Sequence, residues 1–307
     1  MVKPRALRPG DRVAVVSPAS PFKRDEFDAG VAELRALGFE PVYDERVFAK
    51  RGYVAGDPEV RAAAIHDAWT NPSVAALVGV RGGYGSIQVL PLLDPDLART
   101  ARKPFIGYSD LTSLLVFLNG ACGLVAFHGP MLARRLGRGE EGYHRQSLLA
   151  CVTRAEPAGE LCPSGLESLR PGEASGPLFG GTLSQLVGSL GTPYAFDPPD
   201  GFVLFLDEVG ERPYRIDRMF TQLRLSGILG RARAIVWGEL PWCDEPGGEY
   251  SARATAADLV RDFSGPVLAG FPSGHTTGPA WTLPFGVRAS VVANARPALV
   301  IEEAAVA

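Results

Sequence analysis

Long apolar runs are missing from this sequence. No stretch of about eighteen apolar residues occurs, so no membrane-spanning helix is expected. The first sixteen or so residues carry basic side chains but no unbroken apolar core, so a secretory signal peptide is not expected either. Cysteine is scarce and scattered: Cys122, Cys151, Cys162 and Cys243 form no C-x-x-C pair. That argues against a thiolate zinc site and against a disulfide framework, and it fits a reduced, cytoplasmic setting. There are only four histidines, His66, His128, His144 and His275, so bases for catalysis are few. Basic runs are absent too. Lys and Arg total 31 against 34 Asp and Glu, for a net charge of −3, which speaks against a nucleic-acid footprint. What is present is a chain of 307 residues, 46% hydrophobic and 21% charged, globular and long enough for two domains.

Apolar runs and helical periodicity alternate along the first part. Arg12–Val16, Pro41–Tyr43, Val74–Val78, Phe105–Ile106 and Leu124–Phe127 read as strands. Between them lie helical patterns: Phe27, Val31, Leu34 and Leu37 closed by Gly38, then residues 58–69, then Ile87, Leu90 and Leu93. Such alternation predicts a parallel sheet covered on both faces. From about Arg134 to Pro177 the pattern fails, apart from a short helix near His144–Val152. A second unit follows. It has a helix through Leu183, Leu186, Val187 and Leu190, then the strongly apolar strand Phe202–Leu206. A helix opened by Pro213 carries Ile216, Met219, Phe220 and Leu223 on one face. Ala234–Trp237 and Pro266–Leu268 read as strands around a helix over Ala252–Phe263, and Ser290–Val292 with Ala298–Ile301 as a closing pair. The division predicted is 1–135, a connection over 136–176, and 177–307.

Three places carry the chemistry. In Gly107-Tyr108-Ser109-Asp110-Leu111-Thr112 an apolar strand meets a helix whose apolar face is Leu111, Leu114, Leu115 and Leu118. Ser109 thus sits at a sharp strand-to-helix turn, as in a nucleophile elbow, although Leu111 stands where the G-x-S-x-G pattern has its second glycine. Taken alone, the stretch reads better as a serine N-cap. Arg81-Gly82-Gly83-Tyr84-Gly85 follows another strand. It fits a ligand-free βα turn, or a loop of N–H groups facing Ser109, better than a dinucleotide-binding G-x-G-x-x-G. His275, in a loop between Gly274 and Thr276, is the candidate base, and His128 at a strand end is its rival. His66 and His144 read as surface residues. Asp207-Glu208 ends the most apolar strand, and strand alternation sends the two carboxylates to opposite faces.

Together these stretches resemble the LD-carboxypeptidase family, serine peptidases that include the microcin C self-immunity hydrolases. The carriers are Val80–Gly85, Gly107–Thr112, His128-Gly129-Pro130-Met131, Gly180-Gly181-Thr182-Leu183, Leu206–Arg218 and Gly274-His275, in that order along nearly the whole chain. The resemblance implies an α/β fold: a flavodoxin-like parallel-sheet N-terminal domain and a smaller C-terminal α/β domain, with the active site in the groove between them. It implies a triad of Ser109 as nucleophile, His275 as base and a carboxylate, and an oxyanion hole from backbone N–H of Asp110 and of Gly82 or Gly83. The family usually reads Leu-Glu-Asp where this chain has Leu206-Asp207-Glu208, so family position points to Asp207, with Glu208 as the alternative third member. The family's Gly-Gly-Asn is here Gly180-Gly181-Thr182, which alters the expected substrate contacts. The implied activity is metal- and cofactor-independent hydrolysis of the amide between an L-configured centre and a terminal D-amino acid in cytoplasmic muropeptides. Alternatives are an amidase of the self-immunity type and a non-catalytic small-ligand binding protein. Arg81 and Arg215 are candidates for holding substrate carboxylates, and a homodimer is the expected assembly.

Overall fold

A computed structural model describes all 307 residues. Five strands of the first part, β1 (Arg12–Val16), β2 (Glu40–Val42), β3 (Val74–Gly79), β4 (Phe105–Gly107) and β5 (Ala126–His128), form a parallel sheet in the order 2-1-3-4-5. This is the doubly wound order of flavodoxin-like sheets, which places ligands outside the carboxyl ends of the strands. The apolar runs are central strands for the reason their composition implies. Leu77 and Val78 are wholly buried because helices cover both faces. The helix Arg24–Ala36 buries Phe27, Val31 and Leu34, and Gly38, at φ +91°, ends it.

Nine further strands follow: β6 (Gly159–Leu161), β7 (Glu167–Arg170), β8 (Gly172–Thr182), β9 (Phe202–Asp207), β10 (Ala232–Gly238), β11 (Val267–Phe271), β12 (Leu283–Phe285), β13 (Arg288–Ala293) and β14 (Ala298–Ile301). All but β12 form a mixed sheet in the order 6-14-13-8-9-10-11-7, in which β8, β9, β10 and β11 run parallel. β12 instead pairs antiparallel with β5, Leu283 opposite His128, so the far end of the chain completes the first sheet.

Two local expectations are corrected. Beyond the expected helix, which runs over Arg145–Thr153, the stretch 136–176 is not irregular: it holds β6, β7 and the start of β8. Ile87 and Leu90 belong to two short 3-10 turns, Ser86–Gln88 and Leu90–Leu92, with Leu93 extended just beyond, because Pro91 cannot continue an α-helix. A helix over Pro95–Ala101 follows, capped by the Asp94 carboxylate.

Candidate active site

Ser109 stands at the carboxyl end of β4 with φ 62°, a left-handed conformation that costs a residue with a Cβ roughly 1–2 kcal/mol. Packing holds it there. Leu111 is fully buried in space left by two glycines: a Cβ on Gly79 would lie 2.2 Å from Leu111 Cδ1, and one on Gly107 would lie 2.7 Å from it. The residue in place of the second glycine of G-x-S-x-G is therefore what locks the turn. The glycine-rich turn after β3 faces it. A Cβ on Gly82 would lie 3.0 Å from Ser109 Oγ and 3.2 Å from the Asp110 nitrogen. The Gly82–Gly83 turn and the Asp110 N–H thus flank one side of the hydroxyl. The Asp110 side chain does something else. Its Oδ2 accepts from the Ser86 N–H at 2.8 Å while Ser86 Oγ donates to the Asp110 carbonyl, tying the two turns together. Burial pushes that carboxyl up from its ordinary value, against the N–H of Ser86.

From the second sheet comes His275, on the loop after β11. Its Nε2 is 3.0 Å from Ser109 Oγ, and its Nδ1 is 2.6 Å from Asp207 Oδ2. A carboxylate only accepts, so Nδ1 carries the proton and Nε2 is free to accept from the serine hydroxyl. Asp207, at the end of β9, is wholly buried. Its Oδ2 also accepts the backbone N–H of His275 at 2.9 Å, and its Oδ1 accepts from Thr182 Oγ1 at 2.8 Å. Burial opposes its ionisation, but the imidazole of His275, with the buried ring of His128 behind, outweighs that and holds the carboxyl well below the usual range. Glu208 turns the other way, as strand alternation predicts. It accepts the N–H groups of Ser184 at 2.8 Å and Val209 at 3.0 Å, and burial pushes its carboxyl up to about 7.

His128 lies behind Asp207, not beside Ser109. It is fully buried and its Nδ1 is 3.0 Å from Ser273 Oγ. Ser273 spends its own hydroxyl proton on the Trp281 carbonyl at 2.7 Å, so His128 Nδ1 is the donor. Its Nε2 faces Asp207 Oδ1 at 3.7 Å. His66 and His144 are half-buried rather than superficial: His66 Nε2 accepts from the Asp94 N–H, and His144 caps the helix Arg145–Thr153 and stacks on Trp281.

A cavity of about 510 Å³ opens over Ser109 and His275. Arg81, Arg134, Arg135, Arg138 and Trp242 are on its wall, and no Asp or Glu is. Arg215 is not there: it is exposed beside Tyr214 and Glu211. Depressions of about 550 and 620 Å³ elsewhere contain none of the residues just described. No three His, Cys, Asp or Glu side chains converge as metal ligands. Two side chains support the site in ways the sequence did not indicate. Thr182, where Asn was expected, donates its hydroxyl to Asp207 Oδ1 and its N–H to Thr112 Oγ1 at 3.1 Å, joining the second sheet to the Ser109 helix. Buried Arg61 donates to the carbonyls of Pro18 at 2.6 Å and Gly85 at 2.7 Å, which fixes the glycine-rich turn.

Residues 13–129 match the family model for the LD-carboxypeptidase N-terminal domain, and residues 175–291 match that for the LD-carboxypeptidase C-terminal domain. A Streptomyces coelicolor protein provisionally named a carboxypeptidase is 38% identical over 97% of this chain and 98% of its own length. The murein tetrapeptide carboxypeptidase of Pseudomonas aeruginosa is 32% identical over 92% of this chain and 94% of its own. Among solved structures, the microcin C7 self-immunity protein MccF aligns over 99% of both chains with a TM-score of 0.89 at 23% identity, a likeness of fold.

Proposed function

This chain belongs to the LD-carboxypeptidase family, and from that premise we propose that it is a serine carboxypeptidase that removes a terminal D-amino acid from murein-type peptides. The observation that carries the reading is the continuous hydrogen-bonded run Asp207–His275–Ser109 beneath an arginine-walled cavity. Ser109 Oγ attacks the carbonyl carbon of the amide while His275 Nε2 takes its proton. Asp207 keeps the proton on Nδ1 and balances the imidazolium that forms. The N–H of Asp110 and that of Gly83 or Gly82 receive the developing oxyanion. His275 then returns the proton to the leaving amine, and water, activated by the same imidazole, releases the acyl group from Ser109. No metal enters these steps. The four arginines on the cavity wall, Arg81, Arg134, Arg135 and Arg138, suit a substrate that ends in carboxylates.

On this reading the chain divides into a nucleophile unit (1–135), a connection (136–176) whose strands β6 and β7 join the second sheet, and a unit supplying acid and histidine (177–307), and it works as a homodimer on recycled muropeptides in the cytoplasm. The test offers a muropeptide tetrapeptide and a microcin-like aminoacyl adenylate separately and identifies the products by mass spectrometry. Release of the terminal D-amino acid from the tetrapeptide is expected. It should be abolished in Ser109→Ala and His275→Ala, along with labelling of Ser109 by a fluorophosphonate. Cleavage of the adenylate alone would move the substrate to the self-immunity type. Binding of the tetrapeptide without turnover or labelling would make the protein a binding module and refute the proposal.

A further inference from the structure

The Arg135 side chain touches both the turn carrying Ser109 and the loop carrying His275. It is 9% exposed. A guanidinium has five N–H donors in a rigid plane, and here each has an acceptor. Nε reaches the Tyr108 hydroxyl at 3.3 Å. Nη1 reaches the carbonyls of Gly142 at 3.2 Å and Gly278 at 3.0 Å, and Nη2 those of Gly274 at 3.0 Å and Thr276 at 2.9 Å. None of these acceptors is a carboxylate. The charge is held by backbone dipoles, an arrangement that pays only if the geometry it imposes is worth having. Two of those carbonyls belong to the residues on either side of His275, and the hydroxyl belongs to the residue before Ser109.

We infer that Arg135 is a positioning residue for the Ser109–His275 pair. Its fork fixes the loop 274–278 against Tyr108, and so sets the 3.0 Å approach of Nε2 to Oγ. The inference rests on the reading of Ser109 and His275 as nucleophile and base. Lysine cannot substitute, because an ammonium is a compact charge with three donors and cannot meet both sides of the loop and the phenol at once. The loop has other anchors. Thr277 bonds Glu239 through its N–H at 2.8 Å and its hydroxyl at 2.9 Å, and Ser273 bonds the Trp281 carbonyl. Loss of the fork should therefore loosen the loop without unfolding the chain.

The test is Arg135→Lys in the full-length enzyme. A misplacement of about 1 Å can cost roughly 10²-fold in rate, so kcat should fall by about that factor while KM stays within about threefold. Hydrogen exchange should quicken at amides 274–278 and stay unchanged over 112–118. In Arg135→Ala, added guanidinium ion should restore part of kcat and ammonium should not. Wild-type kcat in folded Arg135→Lys would overturn the inference. So would a rise in KM alone, which would make Arg135 a substrate contact. Should the arginine variants fail to fold, Tyr108→Phe removes only the acceptor and keeps the ring edge that packs on His275. It should lower kcat several-fold, and an unchanged kcat there would overturn the inference. A wild-type enzyme without turnover would refute the proposed function, and unchanged exchange at 274–278 in Arg135→Lys would separately refute the role of the fork.

Discussion

Replacing Asp207 by Asn keeps the size of the side chain and removes its charge. The structure predicts which loss follows. Oδ2 accepts two donors from His275, the Nδ1–H at 2.6 Å and the backbone N–H at 2.9 Å. An amide has one accepting oxygen, and the fixed backbone N–H draws that oxygen to the same place. The amino group then faces Thr182 and His128. The tautomer is largely preserved in that orientation, and what disappears is the counter-charge to the imidazolium. Two unit charges about 4 Å apart at an effective dielectric of about 20 interact by about 4 kcal/mol. At about 1.4 kcal/mol per decade, kcat should fall by about 10³. If the amide turns its amino group to the ring instead, the tautomer is wrong as well and the loss approaches about 10⁴, as for the same change in a chymotrypsin-fold protease. Glu208→Gln is the paired control and should stay within about threefold, since Glu208 bonds Ser184 and Val209 and not the histidine. The assay is release of the D-amino acid at saturating tetrapeptide, with thermal unfolding to show that both variants fold. Asn at 207 within tenfold of wild type, with Gln at 208 losing about 10³, would refute the assignment of Asp207.

Four further outcomes are expected. Ser109→Gly should be inactive yet more stable than Ser109→Ala by about 1 kcal/mol in denaturant unfolding, because glycine relieves the left-handed strain at φ 62°. Glu208 has a folded pKa of about 7 against an ordinary 4.5, so the folded state holds its proton more tightly than the unfolded chain. Its contribution to stability is full below about 4.5 and is lost as pH rises through about 7. The amount is roughly 3 kcal/mol, and the slope of stability between those values should flatten in Glu208→Gln. Asp207→Glu should lower kcat by about 10²-fold, since the carboxylate already meets His275 at 2.6 Å and an added methylene displaces it by about 1 Å or more. EDTA should leave the rate of tetrapeptide cleavage unchanged, and loss restored by zinc would contradict the mechanism.

Much of this fold was legible because its central strands are local apolar runs. Phe202–Leu206 reads as a buried strand, and every one of those residues is fully buried. Pro213, Ile216, Phe220 and Leu223 read as a helix opening and its inner face, and all four are buried in the helix Pro213–Leu225. What escaped was structure whose cause lies elsewhere in the chain. β12 is three residues with a proline in the middle, and it is a strand only because β5, about 155 residues away in sequence, offers an edge. β6, β7 and the start of β8 are rich in glycine and charge, with a partly exposed pattern, so nothing local separates them from a loop. At the site, Ser109, His275 and the pair Asp207-Glu208 were legible as residues at strand ends. Arg61 and Arg135 were not, because a buried arginine whose acceptors are distant carbonyls leaves no spacing pattern behind it.

The same contrast explains how an aspartate can stand where the family usually has the longer glutamate. Asp is one methylene short, so either a water bridges to the imidazole or the loop comes to the acid. Here the loop comes to the acid. Gly274 has φ +69°, and a Cβ on it would lie 2.4 Å from Asp207 Oδ2 and 2.5 Å from His128 Cε1. Only a residue with neither a side chain nor a penalty in that conformation can lie so flat on the carboxylate. With Gly274 against it, the backbone N–H of the next residue falls on the same oxygen as its own ring nitrogen, and no gap remains for a bridging water. Thr182 then occupies the other oxygen from the neighbouring strand, where β8 and β9 pair Thr182 with Asp207. The short acid, the glycine before the histidine and the threonine in place of asparagine are thus one geometric solution centred on Asp207, and changing the acid alone leaves the other two without their partner.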